Sequence, residues 1–187
     1  MESEGFPLKS ITVRYLNQII NGKIVKGNGK AVITSANYGK PKYVRPGQVF
    51  FFRKKTAFDK QIAAIKQVKP AAVVVPSRYR SVNFPEKTAV IQTPDPYAAF
   101  WRLGLWNFRQ IPVHVIGITG SAGKSTTTAM LAGILKTKYR VVHTVDNLNT
   151  ASYLPSYLVR LSPGDHVLLL EMGMKSLGNI ASQCRVV

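Results

Sequence analysis

The chain has 187 residues, of which 45% are hydrophobic and 18% are charged, a balance typical of a globular protein. It has no apolar run near the roughly 20 residues of a membrane-spanning helix and no secretory pattern at its start, and its single cysteine excludes an internal disulfide framework. The net charge is +18, and residues 1–112 carry 19 basic and 5 acidic side chains, which predicts an anionic partner or a solvated basic surface. Because the sequence shows neither a membrane-spanning run nor a secretory pattern, we expect a cytoplasmic protein.

Residues 1–110 show strand and helix patterns that predict a small α/β domain. A helix is predicted over 10–20, a β-hairpin around Gly27-Asn28-Gly29, and a loop over 35–47. The remaining predicted elements are strands at 48–52, 71–75 and 88–92, a helix at 59–68 capped by Asp59, and a helix at 97–108. A domain boundary is predicted near Gln110, so that a second domain covers 111–187.

The second domain alternates predicted strands with predicted helices. Strands are predicted at 113–118, 140–145 and 166–171, and helices from Lys124 and over 153–161. This alternation predicts a parallel sheet with right-handed crossovers. Ligands of such sheets lie at the carboxyl ends of the strands, so polar residues at these ends are the candidate site residues.

The stretch VHVIGITGSAGKSTTT, residues 113–128, has the pattern of a phosphate-binding loop. A strand enters a glycine-rich turn and a helix follows, so backbone N–H groups and the positive end of the helix dipole face one point. The predicted nucleotide-binding residues are Gly120, Ser121, Ala122, Gly123, Lys124, Ser125 and Thr126. Lys124 is predicted to reach the β- and γ-phosphates as the catalytic cation, and Ser125 to bind Mg²⁺. A glycine-rich turn that binds nothing is the alternative.

Two further segments follow predicted strands at the same edge. Glu171 ends the apolar strand HVLLLE, where a carboxylate is costly to bury without a cation, so it is the second predicted Mg²⁺ ligand. Asn147, Asn149 and Thr150 follow the preceding strand and are predicted to contact a substrate. The alternatives are a solvent-exposed strand end for the glutamate and ordinary loop residues for the other three.

Several of these stretches resemble the Mur ligases. The run GITGSAGKSTTT is similar to the ATP-binding loop of that family, whose shortened G-x-x-G-K-[ST] form accounts for Ile118 where the general pattern has glycine. DNLNTASYLP resembles the family's Asn-rich substrate loop, and LLLEMGMKSLGNI resembles its Mg²⁺-glutamate segment. YVRPGQVFFF is similar to a stretch of the domain that binds the uridine-diphosphate sugar. The Asn-x-Asn loop and the EMGM segment are most similar to the type that adds D-alanyl-D-alanine.

The resemblance implies a cytoplasmic ATP-dependent amide-bond ligase of peptidoglycan precursor synthesis, which acts through an acyl phosphate with ATP and Mg²⁺. It implies a substrate domain at 1–110, followed by an incomplete central ATP-binding domain at 111–187. The implied partners are a UDP-muramoyl-peptide-like or other anionic carboxylate substrate and an amine. Because the chain covers less than half of such a ligase, we expect it to bind nucleotide without turnover.

One departure from the family concerns the substrate. The family has a Ser/Thr-Arg pair before its Pro-Gly stretch to hold the uridine nucleotide, whereas this chain has Ser35 with no adjacent arginine. Ser35 is therefore the candidate substrate residue of the first domain, and a ligase with another acceptor is an open alternative.

Other functions also remain open at this point. A P-loop kinase or nucleotide-driven switch would use the same loop, and the charge of +18 suits a nucleic-acid-binding NTPase, although the sequence contains no RNA- or DNA-binding motif. A non-catalytic binding module with a vestigial site is the third alternative.

Overall fold

The computed structural model describes residues 6–79, 83–145, 148–174 and 176–187. The chain divides into two compact units, Met1–Leu103 and Gly104–Val187. The division falls within helix α3 (Pro96–Phe108), slightly before the boundary predicted near Gln110, which remains a prediction. Both units combine helices with parallel strands, so the predicted α/β class is confirmed.

The first unit contains a six-stranded mixed sheet. Its strands are β1 (Phe6–Thr12), β2 (Lys23–Lys26), β3 (Val32–Tyr38), β4 (Gln48–Phe51), β5 (Ala72–Pro76) and β6 (Ala89–Thr93). They lie in the order β1-β3-β4-β5-β6-β2, in which β3 to β6 run parallel and the two edge strands are antiparallel to their neighbours. The almost entirely buried strands β4 and β5 are typical of the centre of a parallel sheet.

Two helices of the first unit begin at other residues than the sequence predicted. Helix α1 (Val13–Ile20) begins after Thr12, whose Oγ1 accepts a hydrogen bond from the Tyr15 N–H at 3.2 Å. The prediction of helix from residue 10 was therefore wrong, because residues 10–12 belong to β1. Helix α2 (Phe58–Val68) has Ala57 at its N-cap, so Asp59 lies in the first turn and does not cap the helix. Its charge there still complements the helix dipole.

The predicted β-hairpin around Gly27-Asn28-Gly29 does not form. β2 pairs with β6, and β3 pairs with β1 and β4. The antiparallel edge of β3 is taken by β1, and the N–H groups of the first α1 residues donate to the Gly29 and Ala31 carbonyls. The predicted loop at 35–47 is also shorter than expected, since β3 continues to Tyr38 and a 3₁₀ turn occupies Pro41–Tyr43.

The second unit contains a parallel sheet with the order β7-β9-β8. Its strands are β7 (His114–Ile118), β8 (Val141–His143) and β9 (Val167–Glu171), and its further helices are α4 (Lys124–Leu135), α5 (Leu154–Arg160) and α6 (Asn179–Cys184). Every residue of the central strand β9 is buried. Ile118 pairs with Glu171 and His143 with Leu169, so all three strands end at one edge.

Within the described part of the chain, none of the helices combines the length and the apolar character that a membrane crossing requires.

The carboxyl end of α5 is capped by a side chain from α3. The buried Asn107 Nδ2 donates to the carbonyls of Leu158, Val159 and Leu161 at 2.9, 3.3 and 2.8 Å. Asn107→Leu is expected to lower the free energy of unfolding by about 1–3 kcal/mol, because the buried carbonyls lose their donor. Urea denaturation measures this loss. Asn83→Leu, at an exposed position outside the helices and strands, is the control, and equal losses in the two variants would contradict the capping role.

Candidate nucleotide and magnesium site

The glycine-rich loop joins β7 to α4 at the carboxyl edge of the second sheet. Gly120 has φ 150° and Gly123 has φ 75°, and the latter is the N-cap of α4. A Cβ atom at 123 would meet nothing within 4 Å, so the backbone conformation and not lack of space favours glycine there. Gly123 provides no side-chain cap, which leaves the first N–H groups of this 12-residue helix for an anion. The predicted residues 120–126 thus lie together at the surface, in the glycine-rich loop and the first turn of α4.

Lys124 is the first residue of α4 and folds back over the loop. Its Nζ donates to the Gly120 carbonyl oxygen at 2.7 Å. The contact holds a positive charge at the mouth of the turn, where backbone N–H groups are also available. Together they form a group of cationic and N–H donors of the kind that phosphate oxygens accept from.

Ser125 and Glu171 meet across the edge of the sheet. The Ser125 Oγ donates to Glu171 Oε2 at 2.8 Å although the two residues are 46 positions apart. The glutamate is only 5% exposed, which agrees with the expectation of a buried carboxylate rather than a solvent-exposed strand end. A hydroxyl and a carboxylate are hard oxygen donors of the kind that Mg²⁺ prefers. The described residues contain no cluster of three or more His, Cys, Asp or Glu side chains that could hold a metal alone.

Thr144 and Asn149, which both follow β8, hold Glu171 in place. The Asn149 Nδ2 donates to Glu171 Oε1 at 2.7 Å, and the Glu171 N–H donates to Thr144 Oγ1 at 3.0 Å. Thr144 is 5% exposed and was not predicted from the sequence. In the sequence, Thr144 is distinguished only by its position directly after the apolar residues of β8. Its contact with the Glu171 N–H depends on how β8 aligns with β9, which the sequence does not show.

Asn149 and Thr150, two of the predicted substrate residues of the second unit, line a small hollow at the surface. Thr144 and Glu171 are also among the residues that line it. The Thr150 Oγ1 lies 2.9 Å from the Ser152 Oγ. The roles of Asn149 and Thr150 toward a substrate remain predictions, and Asn147 lies outside the described residues.

The first unit presents a basic edge of its own, where its parallel strands end. Six basic residues follow β3, β4 and β5 there: Lys40, Lys42, Arg53, Lys54, Lys55 and Arg78. Ser35, in contrast, lies half-buried inside β3, so the structure places it in a strand and not in the predicted loop. Its role toward a substrate remains a prediction.

The loop that carries Arg53, Lys54 and Lys55 is held by a buried glutamine. The Gln61 Oε1 accepts from the Arg53 N–H at 2.9 Å, and its Nε2 donates to the Arg53 and Thr56 carbonyls at 3.1 and 2.9 Å. The Arg53 guanidinium lies 5.8 Å from the Tyr38 ring centroid. Burial raises the pKa of the Tyr38 hydroxyl to about 12, the strongest effect on this group, while the nearby Arg53 charge acts in the opposite direction. The phenol is therefore neutral at physiological pH.

Comparison with known proteins connects this architecture to one family. Residues 118–186 match the Mur ligase middle domain. These findings support a Mur ligase fragment of MurF type. The family resemblance that the motifs indicated, from the glycine-rich loop to the glutamate segment, is thereby confirmed.

The relatives of this Mur ligase chain are of the MurF type. The chain is 29% identical over 173 residues to the UDP-N-acetylmuramoyl-tripeptide--D-alanyl-D-alanine ligase of Escherichia coli (strain K12). The aligned region covers 92% of this chain and 37% of that protein. MurF of Acinetobacter baumannii has the same fold, with a TM-score of 0.80 at 23% identity over 97% of this chain and 40% of its own. MurF of Thermotoga maritima in complex with ADP matches with a TM-score of 0.65 at 26% identity, over 81% of this chain and 35% of its own. The chain thus spans well under half the length of these relatives.

Proposed function

We propose that this chain provides the nucleotide-binding part, and a substrate-binding domain, of an ATP-dependent amide-bond ligase of MurF type that acts in cytoplasmic peptidoglycan precursor synthesis. The observation that carries the proposal is the Ser125–Glu171 hydrogen bond of 2.8 Å beside the glycine-rich loop. It brings together the hydroxyl and the carboxylate that a P-loop enzyme needs next to its nucleotide phosphates. The family match over residues 118–186 supports a ligase over a kinase or an unrelated NTPase.

In this proposal ATP binds to the turn at 120–126. The N–H groups of the turn and of the α4 N-terminus donate to phosphate oxygens, and Lys124 exchanges the Gly120 carbonyl for a phosphate. The ADP complex of the Thermotoga maritima relative supports a nucleotide as the ligand.

The residues present fit Mg²⁺, since the two donors at the site are oxygen atoms of Ser125 and Glu171. These two side chains would hold the ion together with phosphate oxygens and water. When bound, Mg²⁺ neutralises charge on the phosphates. The buried position of Glu171 keeps its carboxylate away from competing solvent, and Ser125 presents its hydroxyl from the first turn of α4.

The proposed substrates are an anionic carboxylate of the UDP-muramoyl-peptide type and an amine, as the name of the Escherichia coli relative suggests. The γ-phosphoryl group passes to a carboxylate oxygen to form an acyl phosphate. The amine nitrogen then attacks the carbonyl carbon, inorganic phosphate leaves as the amide bond forms, and the nitrogen releases one proton to water. The basic edge of the first unit supports the binding of an anionic diphosphate. It provides positive charge near a Ser35 that has no adjacent arginine.

The proposal is tested by calorimetric titration of the chain with ADP and Mg²⁺, and separately with a UDP-muramoyl-tripeptide. We expect both ligands to bind. We expect no release of phosphate from ATP by the chain alone, because it spans well under half of its ligase relatives. A random oligonucleotide is the competitor. Strongly salt-dependent oligonucleotide binding, with no binding of the muramoyl compound, would favour a nucleic-acid-binding NTPase instead.

A further inference from the structure

We propose that Asn149 is a positioning residue for the Glu171 carboxylate and that it determines which carboxylate oxygen is available to a divalent cation. The inference rests on the proposed role of Glu171 toward Mg²⁺. It assigns Asn149 to the metal side of the site, in addition to the substrate contact that its position in the loop predicts.

The two oxygens of Glu171 have different partners. Oε2 accepts from the Ser125 hydroxyl at 2.8 Å, on the side of the glycine-rich loop, and Oε1 accepts from the Asn149 amide at 2.7 Å. Only the –NH₂ end of an amide is attracted to a carboxylate, since its carbonyl oxygen would repel it. That nitrogen donates and cannot bind a cation. Oε1 therefore faces a group that cannot share a cation with it. Oε2 faces the Ser125 hydroxyl, whose oxygen can bind a cation, so Oε2 is the oxygen left for a metal.

Contacts with neighbouring segments keep Asn149 and Glu171 in these positions. The Gly173 N–H donates to the Asn149 carbonyl at 2.8 Å, which fixes the backbone of the loop against the segment that follows β9. A Cβ atom at 173 would lie 2.9 Å from Asn149 Oδ1, closer than real Cβ contacts allow. The absence of a side chain at Gly173 is thus what lets the amide reach Glu171. The bond from the Glu171 N–H to Thr144 Oγ1 holds the glutamate backbone in the same place.

Loss of a residue that orients a metal ligand has an effect that loss of a substrate contact does not have. Loss of such a hydrogen bond lowers metal affinity even when no substrate is present, because the ligand then has to be ordered by the metal itself. Asn149 variants should therefore change the effect of a metal on ADP binding, measured without any muramoyl compound or amine.

The experiment measures the ADP affinity of the 187-residue chain by calorimetry with and without Mn²⁺, together with bound Mn²⁺ by electron paramagnetic resonance. Mn²⁺ is expected to tighten ADP binding by the unsubstituted chain. Asn149→Ala should reduce that tightening by about 10-fold, the scale seen when the hydrogen-bond partner of a metal ligand is removed. Gly173→Ala should have the same effect by displacing the amide. Ser152→Ala, in the same segment, is the control and should retain the full tightening.

Asn149→Asp separates positioning from simple structural support. Without metal it places two carboxylates against each other, so the Tm should fall. With Mn²⁺ and ADP the two carboxylates share a cation, so the rise in Tm on adding Mn²⁺ should exceed that of the unsubstituted chain. An Asn149 that only supports the fold would lower Tm equally with and without Mn²⁺, and this outcome would overturn the inference.

Failure of the inference can be distinguished from failure of the proposed function. If Asn149→Ala keeps the full Mn²⁺ effect while Glu171→Gln loses it, the positioning role is wrong and the metal role of Glu171 stands. If Glu171→Gln also keeps the full effect, the proposed magnesium site itself is wrong.

Discussion

Replacing Lys124 by alanine is expected to weaken ADP and ATP binding by about 10- to 100-fold, because a hydrogen bond to a charged group contributes about 1.5–3 kcal/mol. The lysine already lies over the glycine-rich turn, with its Nζ 2.7 Å from the Gly120 carbonyl oxygen. Phosphate oxygens offer a stronger acceptor than this carbonyl, so binding should draw the ammonium group onto the nucleotide. Calorimetric titration with each nucleotide in the presence of Mg²⁺ measures the loss.

Lys138→Ala is the matched control for this variant. It removes the same charge at an exposed position beyond the end of α4, away from the glycine-rich turn. Its nucleotide affinity should equal that of the unsubstituted chain, which excludes a general effect of the net charge of +18. If Lys124→Ala and Lys138→Ala bind nucleotide equally well, the phosphate site is misassigned and the vestigial-module hypothesis gains support.

The glycine-rich loop between β7 and α4 was predictable because its signals are local. Glycine spacing, the lysine and serine that follow, and the flanking strand and helix all lie within residues 113–128, and each acts through backbone geometry that a short stretch determines. The position of Glu171 at a strand end was equally local. The parallel order of the second sheet then brought these two parts together, as Ser125 and Glu171 show.

The pairing of distant segments was not predictable in the same way. Two short strands around Gly27-Asn28-Gly29 have the local pattern of a hairpin, yet β3 pairs with β1 instead. The strand β1 was assigned partly to the following helix, because its last residues continue the helical spacing of α1. Which strand takes an edge depends on the whole sheet, and no short window contains that information.

The same limit explains what was missed at the site. Thr144 is an ordinary threonine in the sequence, and its contact with the Glu171 N–H exists only because β8 and β9 are aligned as they are. Asn149 was predicted as a substrate residue, but its hydrogen bond to a glutamate 22 positions away required the structure. Local patterns therefore identified the candidate ligand-binding residues, and the structure was needed to show which side chains hydrogen-bond to them.

Replacing Glu171 by glutamine is expected to remove most of the effect of Mg²⁺ on nucleotide binding, a loss of at least about 10-fold. The change keeps the shape of the side chain and removes the negative charge that attracts the cation. The fold should tolerate it, because the new amide oxygen can accept from Asn149 and the new –NH₂ group can donate to the Ser125 Oγ. Thermal unfolding without metal should therefore give a Tm similar to that of the unsubstituted chain.

The decisive measurement for Glu171→Gln is the ratio of ADP dissociation constants without and with Mg²⁺. The unsubstituted chain should show tighter binding with the ion, and the variant should show a ratio near unity. Glu86→Gln, which makes the same chemical change at an exposed position of the first unit, should keep the ratio of the unsubstituted chain. A Glu171→Gln variant that retains the full Mg²⁺ effect would show that this buried carboxylate stabilises the Ser125 and Asn149 side chains and has no role in holding the ion.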